Sequence, residues 1–369
     1  MARSCPAGPH PGVSVMSDEK PVRDVTDEPI AAARVCVFSW SERTATLDVR
    51  ARGASRVPEI EGEWRLNDFL TILDGLSAST LKLALATSER AGRLDLSLGL
   101  VSGGEVRLVG AFSGAGEARG LIFGANHTVS SHPDLNVEAV YQPIIRLRDG
   151  AIAGFESLAR WRGGDGSLKS AGQMSGGDKT HSGAGLAHAM LDQASEALAN
   201  WSGEFPHLGL FIQVNLTGAD LFRADVMEKV RTLAQSERYG RGAFKIELTE
   251  HMALRDFGAG VAAALALEAA GAGLVLDDFG SGHSSLAWLG SIPAQGIKLD
   301  PQITQMAGNP RMDTILSSIA RLARSLGMTI TAEGVEDFDR IQFLKGIGCD
   351  YVQGFAYARP MTKDKADRF

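Results

Sequence analysis

The chain has 369 residues, 44% hydrophobic and 22% charged, with a formal net charge of −7. That length suggests two domains and that composition an ordinary globular protein, while the negative charge argues against a nucleic-acid backbone or an anionic membrane surface as main partner. Cys5, Cys36 and Cys349 are too scattered for a metal pair or a disulfide framework, which fits a reducing, cytoplasmic setting. Residues 1–31 are rich in Pro, Gly and charge and lack the apolar core of a secretion signal, so they read as a disordered leader; Met16 is an alternative start.

From 32 to 125 the signals are mostly strand-like. Val35 to Trp40 and Thr44 to Val49 flank a polar turn, Leu94 to Leu100 alternates with period two, and Ser102-Gly103-Gly104 turns the chain into Val106 to Phe112, a half-buried hairpin. Gly120 to Gly124 adds a further strand, and short helices are predicted over Leu66 to Leu73 and Thr80 to Ala86. This order is similar to that of PAS sensor domains, which implies a regulatory α+β module. No histidine lies between Phe38 and Ala125 to ligate haem, and Cys36 lacks the polar setting of a flavin-reactive thiol, so neither cofactor is expected. Residues 126–134 read as a linker.

The longest apolar region, Val261 to Leu276, is interrupted by Glu268 and two glycines and reads as helix then strand rather than a membrane span. It belongs to a second domain, 135–369, in which strand and helix alternate. Strands are predicted at Val140 to Ile145, Gly154 to Leu158, Leu208 to Leu216, Phe244 to Leu248, Gly273 to Asp277, Gly296 to Leu299, Met328 to Ala332 and Asp350 to Phe355. Between them run apolar stripes, such as Leu191, Ala194, Leu198 and Trp201, a second from Met312 and Ile315 to Leu326, and a third of Phe338, Ile341 and Leu344 that Gly346 or Gly348 could end. Repetition over this length suits a parallel (β/α)8 TIM-like barrel; the alternative, a doubly wound sheet, lacks a Gly-rich dinucleotide fingerprint.

In such a barrel chemistry sits at the C-terminal ends of the strands. The polar residues ending the apolar runs are Glu156, Asn215, Glu247, Asp277 with Asp278, Lys298, Glu333 and Gln353. Successive strand residues point to opposite faces, so Asp277 and Asp278 serve one site only where the strand ends and the chain turns. Hard oxygen ligands without His or Cys clusters favour Mg2+ or Mn2+ over zinc, and two such ions would suit hydrolysis of a phosphate ester.

Tyr141-Gln142-Pro143, Gly154-Phe155-Glu156-Ser157-Leu158-Ala159-Arg160-Trp161, Val214-Asn215-Leu216-Thr217, Glu247-Leu248-Thr249-Glu250, Asp277-Asp278-Phe279-Gly280-Ser281-Gly282-His283-Ser284-Ser285, Lys298-Leu299-Asp300, Ala332-Glu333-Gly334-Val335-Glu336 and Gln353-Gly354-Phe355 resemble, in order, the motifs of bacterial EAL-domain phosphodiesterases. The resemblance implies hydrolysis of cyclic di-GMP to pGpG by a two-metal site, with Ca2+ inhibitory and the protein a homodimer. It implies Glu156, Asn215, Glu247 and Asp277 as ligands of one metal. Asp277 would bridge to a second, where Asp278 and Glu333 belong. Lys298 would position the attacking water with a lowered pKa, and Gln353 would orient water and ligands. Arg160 and Gln142, with Asp278 and Lys298, would meet substrate, and Glu250 would hold the loop Gly280 to Ser285. Two departures stand out. Ser157 replaces the usual alanine, and the stretch Gly163 to Gly185 is Gly/Ser-rich where the family carries a proline-containing loop and short helix near the substrate entrance. The second departure favours, as the alternative, a weak or inactive module that serves as a cyclic di-GMP receptor or interaction partner. The Gly-Gly-Asp triplets in that stretch have no cyclase domain around them.

Overall fold

The computed structural model describes residues 35–51, 59–86, 92–114, 116–124, 136–163, 166–170, 184–249, 257–281 and 286–369. The expected leader 1–31 and linker 126–134 lie outside the described residues. Among the described residues no helix is long and apolar enough to cross a membrane.

The N-terminal part is an antiparallel sheet of β1 (Val35–Ser41), β2 (Thr46–Ala51), β3 (Gly62–Arg65), β4 (Arg93–Gly99), β5 (Glu105–Gly114) and β6 (Glu117–Gly124). The strands lie in the order β3-β2-β1-β6-β5-β4. Helices Leu66–Leu70 and Gly75–Ala86 join β3 to β4, longer in the second case than the expected Thr80 to Ala86. β3 has no counterpart in the sequence reading because its four residues are largely exposed and show no apolar alternation.

Period two splits the sheet's side chains between two cores. Cys36, Phe38, Trp40, Leu108, Phe112 and Ile122 pack under the N-terminal helices. Val35, Val109, Ala111, Leu121 and Phe123 face the other way and join the core of the second domain. In the expected half-buried hairpin β4 alternates as predicted, whereas β5, like β6, is covered on both faces. What covers it is the helix Phe257–Ala270, which contacts β1, β4, β5 and β6 on one side and the barrel on the other. Every residue of that helix from Ala259 to Leu267 is buried, which accounts for a sequence that is apolar all round.

The second domain closes into a barrel of eight strands. These are β7 (Val137–Arg146), β8 (Ile152–Arg162), β10 (Phe211–Asn215), β11 (Phe244–Thr249), β12 (Gly273–Phe279), β13 (Gly296–Leu299), β14 (Thr329–Ala332) and β15 (Tyr351–Val352), with a two-residue β9 (Leu168–Lys169) folded back on β8. Closure comes from β8 pairing with β10 and β15 pairing with β7. The first strand departs from the all-parallel expectation, since β7 is antiparallel to both neighbours. The link from Arg146 to Ile152 is a short turn, and a parallel pairing would require a crossover of a dozen or more residues.

Other boundaries shift for local reasons. Pro206–Leu208 forms a 3-10 turn, so β10 starts at Phe211 rather than Leu208. β15 is limited to two residues, and Gln353 and Gly354 leave the sheet to approach the preceding loop. The Val335 N–H donates to the Gln353 carbonyl at 3.1 Å, and a Cβ on Gly354 would lie 2.1 Å from the Val335 carbonyl oxygen, so no side chain fits there. Gly348, with φ +94°, ends the helix Asp339–Ile347. The stripe Leu191, Ala194, Leu198 and Trp201 is buried as expected. By contrast Ile315, Leu326 and Phe338 are exposed, by 49%, 43% and 57%, so those three fall outside the buried stripes.

Candidate active site

Glu156, Glu247, Asp277 and Glu333 converge on one amine. Lys298 Nζ lies 2.8 Å from Glu333 Oε1, 3.0 Å from Glu247 Oε2, 3.1 Å from Asp277 Oδ1 and 3.2 Å from Glu156 Oε2. The carboxylates come from β8, β11, β12 and the residue after β14, and Lys298 from β13. Amides complete the ring. Asn215 Nδ2 donates to Glu156 Oε1 at 2.8 Å, and Gln353 Nε2 donates to Glu156 Oε2 at 2.6 Å and to Gln142 Oε1 at 3.1 Å. Gln142 Nε2 in turn donates to the Ala358 carbonyl at 3.1 Å. Glu156 and Gln142 sit in mid-strand, not at a strand end, because β7 and β8 extend beyond the mouth as a hairpin.

Asp277 and Asp278 reach one site by a backbone device. The strand does not end at Asp277 but continues to Phe279, and its register against β13 slips between Leu276 and Phe279. Asp278 takes φ +55°, a left-handed conformation that a non-glycine residue holds at a cost of about 1–3 kcal/mol. The bulge undoes the strict alternation of faces. Asp277, Asp278 and Glu333 consequently each place a carboxylate oxygen within 4.8 Å of the others, a grouping able to hold a cation.

The electrostatics are unbalanced. Burial would lower the Lys298 amine, but Glu156, Glu247, Glu333 and Asp277 outweigh it and hold it well above its usual range. Burial, reinforced by Glu156, raises Glu247 far above the carboxylate range. Glu333 is pushed up to about 8 by burial, with Lys298 opposing. One ammonium thus faces more carboxylate than it can neutralise; Glu247 Oε1 is buried without any partner, and Asp277 Oδ1 has only its share of Lys298. Orphaned carboxylate oxygens in an anion-rich, buried cluster are what hard divalent cations require, so the residues present fit such an ion.

Arg160 is half-buried further along β8. Its Nη1 donates to the Ala159 carbonyl at 2.8 Å, and burial lowers its pKa while Glu156 opposes. Glu250 and 282–285 lie outside the described residues, as does most of Gly163 to Gly185. Ser157 is buried with its hydroxyl unpartnered. A polar layer beneath the mouth was missed by sequence reading. Gln213 and Lys245 sit two residues before Asn215 and Glu247 and pair in register. Lys245 Nζ lies 3.8 Å from the Phe211 ring centroid, and burial lowers it to about 8 with Glu247 opposing. The available signal was the same inward period of two, carried one step back along each strand.

A closed TIM-like barrel with an acidic, cation-accepting mouth defines the class of protein. Residues 133–360 match the EAL domain family, and the chain belongs to it. It is 31% identical over 230 residues to the cyclic di-GMP phosphodiesterase PA2567 of Pseudomonas aeruginosa, covering 62% of this chain and 39% of that protein. It is 28% identical over 244 residues to the cyclic di-GMP phosphodiesterase NbdA of the same organism, covering 64% and 30%. The chain thus matches well under half the length of these relatives. Among solved structures, the PaMucR phosphodiesterase in complex with c-di-GMP is similar at 31% identity and a TM-score of 0.57, over 63% of this chain and 94% of that one.

Proposed function

We propose that this protein hydrolyses cyclic di-GMP to linear pGpG with Mg2+ or Mn2+, under the influence of its N-terminal sheet. The observation that carries this reading is the convergence of Glu156, Glu247, Asp277 and Glu333 on Lys298, with Asn215 and Gln353 fixing Glu156. Glu156, Asn215, Glu247 and Asp277 would hold one divalent ion and Asp277, Asp278 and Glu333 a second. When bound, such ions polarise a phosphoryl oxygen and lower the pKa of coordinated water. The residues of the chain set the geometry. Gln353, braced by Gln142, keeps the Glu156 carboxylate in one orientation. Lys298 stands at the centre of the carboxylates, where its ammonium can hold a water or a developing anionic oxygen. Arg160 offers a guanidinium for a substrate phosphate, with Gln142 and Asp278 at the same mouth, and Glu250 would anchor the loop Gly280 to Ser285 between dimer and site. The strand order, with helices inserted between β3 and β4, supports reading 32–125 as a PAS-like regulatory module on an EAL domain of 135–369.

The test is incubation of the full-length protein with cyclic di-GMP and Mg2+, Mn2+ or Ca2+. Appearance of pGpG with the first two and not with Ca2+ is the expected result. Tight binding without turnover would make the protein a receptor instead, and the altered Gly163 to Gly185 stretch is the feature that favours that outcome.

A further inference from the structure

Two adjoining cavities, of about 360 and 610 Å3, open at the end of the barrel opposite the acidic mouth. Both are lined by Arg93, Arg241 and Gly271. Arg93 begins β4 of the N-terminal sheet, whereas Arg241 lies in the turn before β11, Gly271 before β12 and Gln295 before β13. The two arginines therefore line the same cavities from either side of the seam between the domains.

Their state differs from that of the neighbouring seam arginine. Arg107 is fully engaged, donating to Asp95 through Nε and Nη2 at 2.8 Å each and pairing with Glu228 of the barrel. Among the described residues Arg93 and Arg241 make no ion pair and donate no side-chain hydrogen bond. Glu268 feels the charge of Arg93 without forming an ion pair with it. Glu237 lines the smaller cavity, whereas among the described residues the larger is lined by both arginines and by no carboxylate, opposite in sign to the mouth. Neutral polar groups complete the walls, the Ser236 hydroxyl in the smaller cavity and the Gln295 amide in the larger. A volume of several hundred Å3 at a domain junction is the usual setting of a small-ligand site.

We propose that this seam binds a phosphate-class oxyanion, clamped between Arg93 of the sheet and Arg241 of the barrel. The planar fork of each guanidinium matches two oxygens of one phosphate. A ligand held there touches both domains at once, and Gly271 links the buried helix Phe257–Ala270 directly to β12, which carries Asp277 and Asp278. The proposal stands independently of the catalytic reading, since it concerns the opposite end of the barrel.

The experiment is calorimetric titration of the metal-free full-length protein with pyrophosphate and, separately, malonate. Without metal the acidic mouth repels both anions, so it does not contribute. Saturable pyrophosphate binding, weakened at least tenfold in Arg93→Ala and in Arg241→Ala and only partly in Arg241→Lys, is expected, with Arg311→Ala unchanged. Circular dichroism checks that each variant is folded, and both arginines are exposed enough for that to hold. No pyrophosphate binding by the unaltered protein below about 10 mM, a threshold equivalent to roughly −2.7 kcal/mol, overturns the proposal. So does equal binding by both alanine variants, or tighter binding of malonate than of pyrophosphate.

Discussion

The mouth of the barrel and the seam between the domains handle charge in opposite ways. At the mouth four carboxylates and one lysine are withdrawn from water and packed within about 3 Å of a single nitrogen, where unsatisfied charge is expensive. At the seam Asp95, Arg107, Glu228 and Arg231 form a partly exposed network, in which each pair is worth about 0–1 kcal/mol. The seam is held instead by apolar burial, through Val109, Leu121 and Phe123 against the buried stretch 259–267 of the helix. Charge buried beyond its own neutralisation marks a place that needs a ligand; charge that is exposed and already paired, as around Arg107, decorates an interface that apolar contacts already hold.

That contrast can be broken at either end. Glu156→Ala has the largest expected effect, because it removes a proposed metal ligand together with the anchor of Asn215 and Gln353; the proposed cyclic di-GMP turnover should fall by about a thousandfold or more. Near-normal rates would refute the assignment of the mouth. Lys298→Met should leave the metal-free protein with uncompensated buried carboxylates, a loss of about 3–5 kcal/mol in chemical denaturation. Added Mn2+ should restore more stability to this variant than to the parent, and equal restoration would show that the cluster does not take the ion. Leu121→Ala, on the seam and fully buried, should cost about 2–4 kcal/mol, and a cost under 1 kcal/mol would show that the two domains are not bound by this face.

A smaller effect concerns pH. Glu333, with its pKa at about 8 without metal, must lose its proton to ligate. Metal affinity should therefore rise with pH up to about 8, by at least about tenfold per unit, since Glu247, raised in the same direction, must also lose its proton. Affinity that is flat between pH 6 and 8 would contradict the raised value. Least of all, Arg107→Ala should change stability by under about 1 kcal/mol. A larger loss than for Leu121→Ala would invert the comparison.

Much of the mouth was legible in sequence because each site residue closes or interrupts an apolar strand run, and a barrel carries such positions to one end whatever its loops. Glu247, Lys298 and Gln353 were found that way. The pairing of Asp277 with Asp278 was legible as a requirement but not as a solution. A bulge and a left-handed aspartate are fixed by packing against β13, which no local propensity encodes. The antiparallel β7 was hidden because the strand pattern is the same for either direction; only the short turn from Arg146 to Ile152 betrayed it. Gln213 and Lys245 were passed over because a polar residue within a strand reads as outward-facing until the barrel's inward register is known.

The sequence by itself determined the barrel, the family and the roll of polar residues at its mouth, since these follow from periodicity and from the order of short motifs along the chain. Only the tertiary structure decided that the apolar helix Phe257–Ala270 lies between two domains, that β5 and β6 are buried on both faces, and that Arg93 and Arg241 line the same cavities at a seam. Those are contacts between segments more than a hundred residues apart, and a side chain's local pattern records that it is buried without recording against what.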